Sequence, residues 1–253
     1  MPRVLVLDNL SQDGLDLLES AGNIECQVRI GLKGDELREA LLEADGAICR
    51  SGAKLTADVL AGNQRLKAIA RAGVGTDNID KEAATRLGIV VMNTPGGNTL
   101  STAEHTIALM LALSRNVHPA YQGMIEGRWD RKLYMGTQLA GKTLGIVGLG
   151  RIGQAVAARA LAMEMRVVGY DPFLSSQRAK ELGVQPCQDV REMLPEVDYL
   201  TVHTPLNDAT HHLIGPEEVG LMRRGARLVN CARGGIFDTN ALVEGLKSGQ
   251  LAG

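Results

Sequence analysis

Three glycines at a fixed spacing follow an apolar run in the second half of the chain. Leu144–Val147 leads into Gly148-Leu149-Gly150-Arg151-Ile152-Gly153, and an alanine-rich helical pattern comes next. A strand, a tight turn and a helix N-terminus in this order present backbone N–H groups and the positive end of a helix dipole. We interpret Gly148 as the turn residue, Gly150 as the point of backbone approach to a pyrophosphate, and Gly153 as the residue for close helix packing.

An acidic residue closes the next apolar run at the spacing that a dinucleotide site requires. Val167–Tyr170 ends in Asp171, 18 residues after Gly153 (171 − 153). A carboxylate at the end of this second strand accepts hydrogen bonds from the adenosine ribose hydroxyls. It would repel a 2′-phosphate, and Pro172–Ser175 offers no Lys or Arg to neutralise one. The pattern predicts NAD rather than NADP, although Asp171 alone would also suit a turn or a helix cap.

Arg233 is the strongest candidate for catalysis. It follows the apolar strand pattern Leu228–Cys231 and precedes two glycines, so we expect it at a strand carboxyl end, where open α/β sheets bind ligands. The planar guanidinium can hold both the carboxylate and the carbonyl oxygen of a 2-oxo acid and stabilise charge on that oxygen. The alternative is a structural ion pair with a carboxylate such as Asp238. We interpret Cys231 as a small residue at the strand end rather than a nucleophile.

A second glycine loop, Arg71–Asn78, follows the strand pattern that ends near Ala70. Gly73 and Gly75 would expose backbone N–H groups ahead of a helix that we expect to begin at Asn78, which suits a substrate carboxylate. A tight turn with Asn78 as N-cap is the compatible alternative. Cations for a substrate phosphate could come from four basic residues, each of which could also be a solvated surface charge: Arg50, Arg71, Arg131 and Lys132.

None of the five histidines is a convincing proton donor for a ketone reduction, a task that favours histidine with a tuned pKa. His105 and His118 fall on one long helical pattern, and His211 and His212 in a turn-like segment. His203 ends a strand pattern beside Thr204-Pro205, a position that suits lining a cofactor.

The bulk properties are those of an ordinary globular protein. The chain has 253 residues, 27 basic and 29 acidic, for a net charge of −2, which gives no general field for nucleic acid or an anionic membrane. Its four cysteines lie apart, without metal-ligand spacing, and we interpret them as buried thiols in a reducing compartment. No signal peptide is evident, and the longest apolar run, residues 107–113, is too short to span a bilayer. We predict a cytoplasmic protein without a metal.

Short β-branched runs alternate with longer amphipathic ones, which predicts two parallel α/β domains. We place the boundary at Pro95–Gly97, with a first domain of residues 1–97 and a dinucleotide-binding domain of residues 98–253. A single helix is expected over about residues 101–124. Its apolar middle, Ile107–Leu113, should be buried on several sides, and we predict a homodimer or homotetramer built around it.

Six segments, in order and at matching spacing over nearly the whole chain, resemble the D-2-hydroxyacid dehydrogenase family: RAGVGTDNID (71–80), MNTPGGNTLSTAEHT (92–106), GKTLGIVGLGRIG (141–153), Asp171, HTPL (203–206) and VNCARGGIFD (229–238). The resemblance implies two Rossmann-like or flavodoxin-like domains and NAD-dependent oxidation of a small 2-hydroxy acid. The run WDRKLYMGTQLAGKTLG (129–145) is similar to members that act on 3-phospho-D-glycerate, a phosphorylated 2-hydroxy acid.

The resemblance also implies roles for particular residues. Arg233 would be catalytic. Cofactor contacts would come from the glycines and Asp171 together with Val74, Arg151, Ile152, Thr204, Cys231 and Ala232. Substrate contacts would come from Arg50, Ser51, Val74, Gly75 and Arg131.

The family pairs its arginine with a Glu and a His that follow it, and this sequence ends at Gly253 before both. We therefore expect a fragment with little activity of its own, in which the first domain lacks a returning helix and the second is incomplete. An intact variant without the chemistry is the alternative. Two other functions stay open: a dehydrogenase for glycerate or lactate, and a non-catalytic NAD-sensing protein like the corepressors that share the fold.

Overall fold

A computed structural model describes all residues, 1–253. The chain forms two compact units, Met1–Asn98 and Thr99–Gly253. The boundary predicted at Pro95–Gly97 lies next to this division. None of the eleven α-helices combines the length and the apolar character needed to cross a membrane.

The first unit is a five-stranded parallel sheet with helices between the strands. The strands lie in the order β2-β1-β3-β4-β5, which is the order of flavodoxin-like doubly wound sheets. Its apolar core includes Leu5, Leu41 and Ile69, each almost fully buried. The strands are β1 (Arg3–Val6), β2 (Glu25–Val28), β3 (Gly46–Cys49), β4 (Ala68–Arg71) and β5 (Val90–Asn93); the helices are α1 (Gln12–Ser20), α2 (Gly34–Leu42), α3 (Ala57–Leu60) and α4 (Lys81–Arg86).

The second unit is also a five-stranded parallel sheet. Its strands are β6 (Thr143–Val147), β7 (Arg166–Tyr170), β8 (Gln185–Pro186), β9 (Tyr199–Val202) and β10 (Arg227–Asn230); its helices are α5 (Thr99–Arg115), α6 (Val117–Ile125), α7 (Arg151–Ala162), α8 (Ser176–Glu181), α9 (Val190–Met193), α10 (Pro216–Leu221) and α11 (Thr239–Ser248). Short 3-10 turns cover Leu194–Glu196 and Gly234–Ile236.

The strand order of the second unit is β10-β9-β6-β7-β8. Read from β8, this is the third, second, first, fourth and fifth strand of the unit, which is the Rossmann order. The order reverses between β6 and β9, so a ligand is expected where these two strands end. Every residue of β6 is buried. The predicted α/β class with two doubly wound sheets is confirmed.

The single helix predicted over residues 101–124 is wrong. Two helices, α5 and α6, meet at Asn116, whose φ of 52° lies in the left-handed region. Asparagine tolerates this conformation better than most residues, and its side-chain amide donates a hydrogen bond to the Met135 carbonyl (3.2 Å).

Within this chain α5 is buried on one face, and the predicted burial on its other sides, between domains or subunits, stays a prediction. The fully buried residues of α5 recur at helical spacing on one face, at Ala103, Thr106, Met110 and Ser114. Leu109 and Leu111 are exposed. The helix therefore buries a single stripe against its own unit, because i, i+3 and i+4 positions share one face.

The thiols are less buried than predicted. Cys49 is buried, whereas Cys26, Cys187 and Cys231 are half-buried, and all four are free. Burial raises the pKa of the Cys49 thiol to about 11, so it stays protonated at neutral pH. No group of three His, Cys, Asp or Glu side chains is placed to hold a metal ion.

Candidate functional site

The turn after β6 requires glycine at its first position. Gly148 has a φ of 91°, in the left-handed region. Its N–H donates to the Tyr170 carbonyl (2.8 Å) at the end of β7, and a Cβ there would lie 2.8 Å from the His203 carbonyl oxygen. Since any side chain would strain both the φ angle and this contact, the chain can turn here only with glycine.

The other two glycines of the motif differ in what surrounds them. A Cβ on Gly153 would overlap the Gly148 carbonyl oxygen, so this glycine lets α7 pack against the turn. A Cβ on Gly150 would meet nothing within 4 Å. Gly150 is the N-cap of α7, beside the free N–H groups of the first helical turn, where an anion can bind. No contact within the protein therefore requires glycine at position 150. A phosphate bound close to this backbone would require it, because a Cβ would occupy part of its space.

Asp171 ties the glycine turn to the end of β7, a contact that the sequence did not predict. Its Oδ2 accepts a hydrogen bond from the Leu149 N–H (2.7 Å). Its Oδ1 accepts from the Phe173 N–H (2.8 Å). Each carboxylate oxygen has more than one lone pair, so both can still accept from a ribose hydroxyl.

A cleft lies beside this carboxylate. Its volume of about 210 Å³ is several times the roughly 30 Å³ that one water occupies in the liquid. It can therefore admit a small organic group. Polar atoms contribute most of its accessible lining, and the lining residues are Leu149, Gly169, Tyr170, Asp171, Pro172, Leu174, Ser176, Ala179, Pro186, Cys187 and Gln188.

The end of β9 presents two buried polar atoms without partners. The His203 N–H donates to the Val147 carbonyl (2.7 Å), which holds this end of β9 against β6. The Nδ1 atom of His203 and the hydroxyl of Thr204 have no hydrogen-bond partner. Buried polar groups are rarely left unpaired in a native fold. These atoms at the point of strand reversal therefore fit a polar ligand such as a dinucleotide.

His203 is not placed to act as a general acid. Burial lowers the pKa of its imidazole from 6.5 to about 4, so the ring is neutral at physiological pH. Its Nε2 is 3.2 Å from the Thr201 hydroxyl. These features agree with the role of a lining residue rather than a proton donor.

The loop that carries Arg233 is held by a residue that the sequence reading missed. The Asn230 side chain donates to the Arg233 carbonyl (2.8 Å) and accepts from the Ala232 N–H (2.9 Å). Arg233 is half-buried, and its Nη1 donates to the Ala232 carbonyl (2.9 Å). The signal was present in the sequence, because asparagine commonly bonds the backbone two residues on.

Asp238, the structural partner considered for Arg233, has other contacts. It caps α11 by accepting from the N–H groups of Asn240 (2.8 Å) and Ala241 (3.1 Å). Its second oxygen lies 3.6 Å from His212 Nδ1. The backbone hydrogen bond from Ala241 is the main cause that lowers the pKa of this carboxyl.

In the first unit, Arg50 and Ser51 follow β3 and are exposed. Asp8, which the sequence reading also missed, accepts from the Arg50 N–H (2.6 Å) and the Ala53 N–H (3.3 Å). The Asn78 side chain donates to the Arg50 carbonyl (2.8 Å). The backbone of this loop is therefore clamped from both sides while the Arg50 side chain stays accessible.

The glycine loop after β4 differs from its prediction in one respect. The helix expected from Asn78 begins at Lys81, with Asp80 as its N-cap, so Gly73 and Gly75 do not lie at a helix N-terminus. A Cβ on Gly73 would overlap the Arg71 guanidinium. The Val74 carbonyl accepts from the Asn93 side chain (2.7 Å), which fixes the loop beside β5.

The remaining predicted cofactor and substrate residues are distributed as follows. Arg151 and Ile152 open α7. Cys231 and Ala232 follow β10 and are half-buried, whereas Arg131 lies in an exposed turn.

Comparison with known sequences identifies the family. Residues 107–253 match the NAD binding domain of D-isomer specific 2-hydroxyacid dehydrogenases. The chain belongs to this family. NAD is the family's cofactor, and the glycine turn and Asp171 of the second unit fit it.

The relatives extend the match over the first unit. D-3-phosphoglycerate dehydrogenase of Methanocaldococcus jannaschii is 47% identical over 251 residues, which are 99% of this chain and 48% of that protein. The chain thus spans about half the length of the curated relatives it matches.

Solved structures of the family agree with the fold. The TT0316 protein of Thermus thermophilus is 41% identical with a TM-score of 0.89, over 99% of this chain and 80% of that one. D-lactate dehydrogenase of Aquifex aeolicus, solved with NAD and lactic acid, is 30% identical with a TM-score of 0.88, over 99% and 75%.

Proposed function

We propose that the protein takes part in the NAD-dependent oxidation of 3-phospho-D-glycerate to 3-phosphooxypyruvate, a step of serine biosynthesis. Its likeness to the D-3-phosphoglycerate dehydrogenases, at 47% identity along nearly the whole chain, carries this proposal. The glycine turn at the strand reversal of the second unit supports the cofactor half of it.

The cofactor's pyrophosphate would lie at the N-terminus of α7. Gly150 leaves room for it, and the first helical N–H groups carry the positive end of the helix dipole. Asp171 would accept from the adenosine ribose, and the Thr204 hydroxyl would gain the partner that it lacks. The other proposed contacts are Val74, Arg151, Ile152, Cys231 and Ala232.

Arg233 would orient the hydroxy acid for the reaction. When bound, NAD accepts a hydride from C2 of the substrate. The guanidinium fork can hold the substrate carboxylate and the C2 oxygen together, which fixes the geometry and stabilises charge on that oxygen. Asn230 would act as a positioning residue, since its side chain holds the Arg233 carbonyl.

Binding of the substrate's phosphate requires cationic side chains that are accessible to it. Arg50 and Arg131 are exposed, and we assign them to phosphate recognition, with Ser51, Val74 and Gly75 as further substrate contacts. Charge-assisted hydrogen bonds contribute about 1.5–3 kcal/mol each. One such contact is therefore enough to make the binding of a phosphorylated substrate about tenfold tighter than that of glycerate or lactate.

Proton transfer is the weakest part of the chemistry in residues 1–253. His203 is half-buried and neutral at physiological pH, and His105 and His118 lie on the helices α5 and α6. General acid–base help contributes about 10²- to 10⁴-fold to a rate. We therefore expect this chain to bind its ligands but to turn over slowly. A protein that binds NAD without catalysis is therefore the second candidate function.

The proposal is tested by the equilibrium binding of hydroxy acids to the 253-residue chain in the presence of NADH. Calorimetric titration with 3-phospho-D-glycerate, D-glycerate and D-lactate should give the phosphorylated acid the tightest binding, by about tenfold or more. Arg50→Gln should reduce this difference in affinity, because it removes a cation that binds the phosphate. Arg86→Gln, an exposed arginine in the last turn of α4, is the matched control and should leave the difference unchanged.

Two results would contradict the substrate assignment. Equal affinity for the three acids would favour a dehydrogenase for another hydroxy acid. Binding of NADH with no binding of any of the acids would favour the NAD-sensing alternative.

A further inference from the structure

Phe173 is the most exposed large hydrophobic residue of the chain. Its side chain is 96% exposed, whereas Trp129 and Met135, the next in order, are each 78% exposed. The other phenylalanine, Phe237, is buried in the core. Leaving an aromatic ring in water forgoes the free energy that its burial would contribute.

The backbone on either side of Phe173 is fixed, so its exposure does not come from a loose segment. Its N–H donates to Asp171 Oδ1 (2.8 Å), and Pro172 restricts φ at the preceding position. Leu174 packs against the apolar core. Ser175 then caps α8 by accepting from the Arg178 N–H (3.2 Å). This turn holds the backbone in place and directs only the ring of Phe173 outward.

Phe173 belongs to the loop that forms one side of the cleft beside Asp171. Residues on both sides of it, Pro172 and Leu174, line that cleft, together with Leu149, Tyr170 and Ala179. A nucleoside with its ribose on Asp171 would place its base in or beside this cleft. Phe173, between two lining residues and exposed to solvent, is the aromatic side chain of this loop that is free to contact the base.

We propose that Phe173 is a positioning residue that stacks on the adenine of the bound cofactor and closes the outer side of its cleft. This inference rests on the proposed cofactor site. Stacking between an aromatic side chain and a base contributes about 1–3 kcal/mol, so losing the ring weakens binding by about fivefold to a hundredfold. The substrate-binding residues play no part in this contact.

The test is calorimetric titration of the 253-residue chain and its variants with ADP-ribose, which carries the adenosine and pyrophosphate without the nicotinamide. Phe173→Ala should weaken binding by about fivefold or more, and Phe173→Trp should restore it. Tyr121→Ala, another exposed aromatic, on α6, is the control that keeps wild-type affinity. Melting temperatures of the variants should match that of the wild type, because Phe173 makes no core contact.

A spectroscopic readout separates stacking from a general apolar effect. Ring-current shifts of the adenine H2 and H8 protons of ADP-ribose on binding should be present in the wild type and lost in Phe173→Leu. Wild-type affinity of Phe173→Ala for ADP-ribose would overturn the stacking proposal and leave the cofactor site intact. Failure of the wild-type chain to bind ADP-ribose would overturn the cofactor site and this proposal together.

Discussion

Asp171 combines a structural contact with the role predicted for it in ribose binding. Both of its oxygens accept backbone N–H groups, those of Leu149 and Phe173. Asparagine keeps one acceptor oxygen and turns an NH₂ group toward the other N–H. We therefore expect Asp171→Asn to lower the free energy of unfolding by about 1–3 kcal/mol without any ligand present, in addition to weakening NADH binding.

This double effect distinguishes Asp171 from an acid that serves only as a cap. Asp189 caps α9 by accepting from the Arg191 N–H (2.7 Å) and lies outside the cofactor residues. Urea unfolding and NADH titration of Asp171→Asn and of Asp189→Ala, which removes the cap, should show reduced stability in both and reduced affinity only in the first. An Asp171→Asn variant as stable as the wild type would refute the contact with the glycine turn.

Single-residue features were predicted from the sequence where they depend on local geometry. The positive φ of Gly148 and the close packing of Gly153 follow from a strand that runs directly into a helix. The clamp of Asp8 on Arg50 joins residues 42 positions apart. Such a contact depends on which strands become neighbours, so the local pattern does not contain it.

At the level of secondary-structure elements, the residue that follows β9, His203, makes the stability of the fold sensitive to acid. Burial lowers the pKa of this imidazole to about 4 from its ordinary value of 6.5. The unfolded chain therefore takes up a proton at a higher pH than the folded one, and stability falls as the pH drops from 6.5 toward 4. The loss should reach about 2 kcal/mol by pH 5.

Urea unfolding at pH 7, 6 and 5 measures this effect. His203→Gln, which stays neutral over the whole range, should show a flatter dependence of the unfolding free energy on pH than the wild type. Parallel curves for the two proteins would mean that His203 is not the group responsible.

The helices α5 and α6 show how far an apolar pattern predicts burial. The pattern of residues 101–124 indicated a buried helix, but only one stripe of α5 is covered. The exposed apolar residues include Leu109, Leu111, Val117, Tyr121 and Ile125. Assembly of two or four copies through this surface stays a prediction. The break at Asn116 could not be read locally, because a distant carbonyl, that of Met135, holds its side chain.

For the molecule as a whole, the alternation of apolar runs was enough to predict two parallel sheets. It was enough because parallel strands need crossover helices, which leave a regular rhythm in the sequence. The strand orders and the motif spacings agree with the family expectation. Helix starts were less predictable: α4 begins at Lys81 instead of Asn78, because Asn78 is engaged by the carbonyls of Arg50 and Ala53.

The central claim is that Gly150 leaves open the place where the cofactor's pyrophosphate binds. It is tested most directly by fluorescence titration of the 253-residue chain with NADH, for the wild type, Gly150→Ala and Gly220→Ala. A Cβ at either glycine meets nothing within 4 Å in the protein, so both variants should fold. We expect Gly220→Ala to bind NADH like the wild type and Gly150→Ala to bind at least about tenfold more weakly, through loss of charge-assisted hydrogen bonds to the pyrophosphate. Equal affinity of Gly150→Ala and the wild type would contradict the assignment.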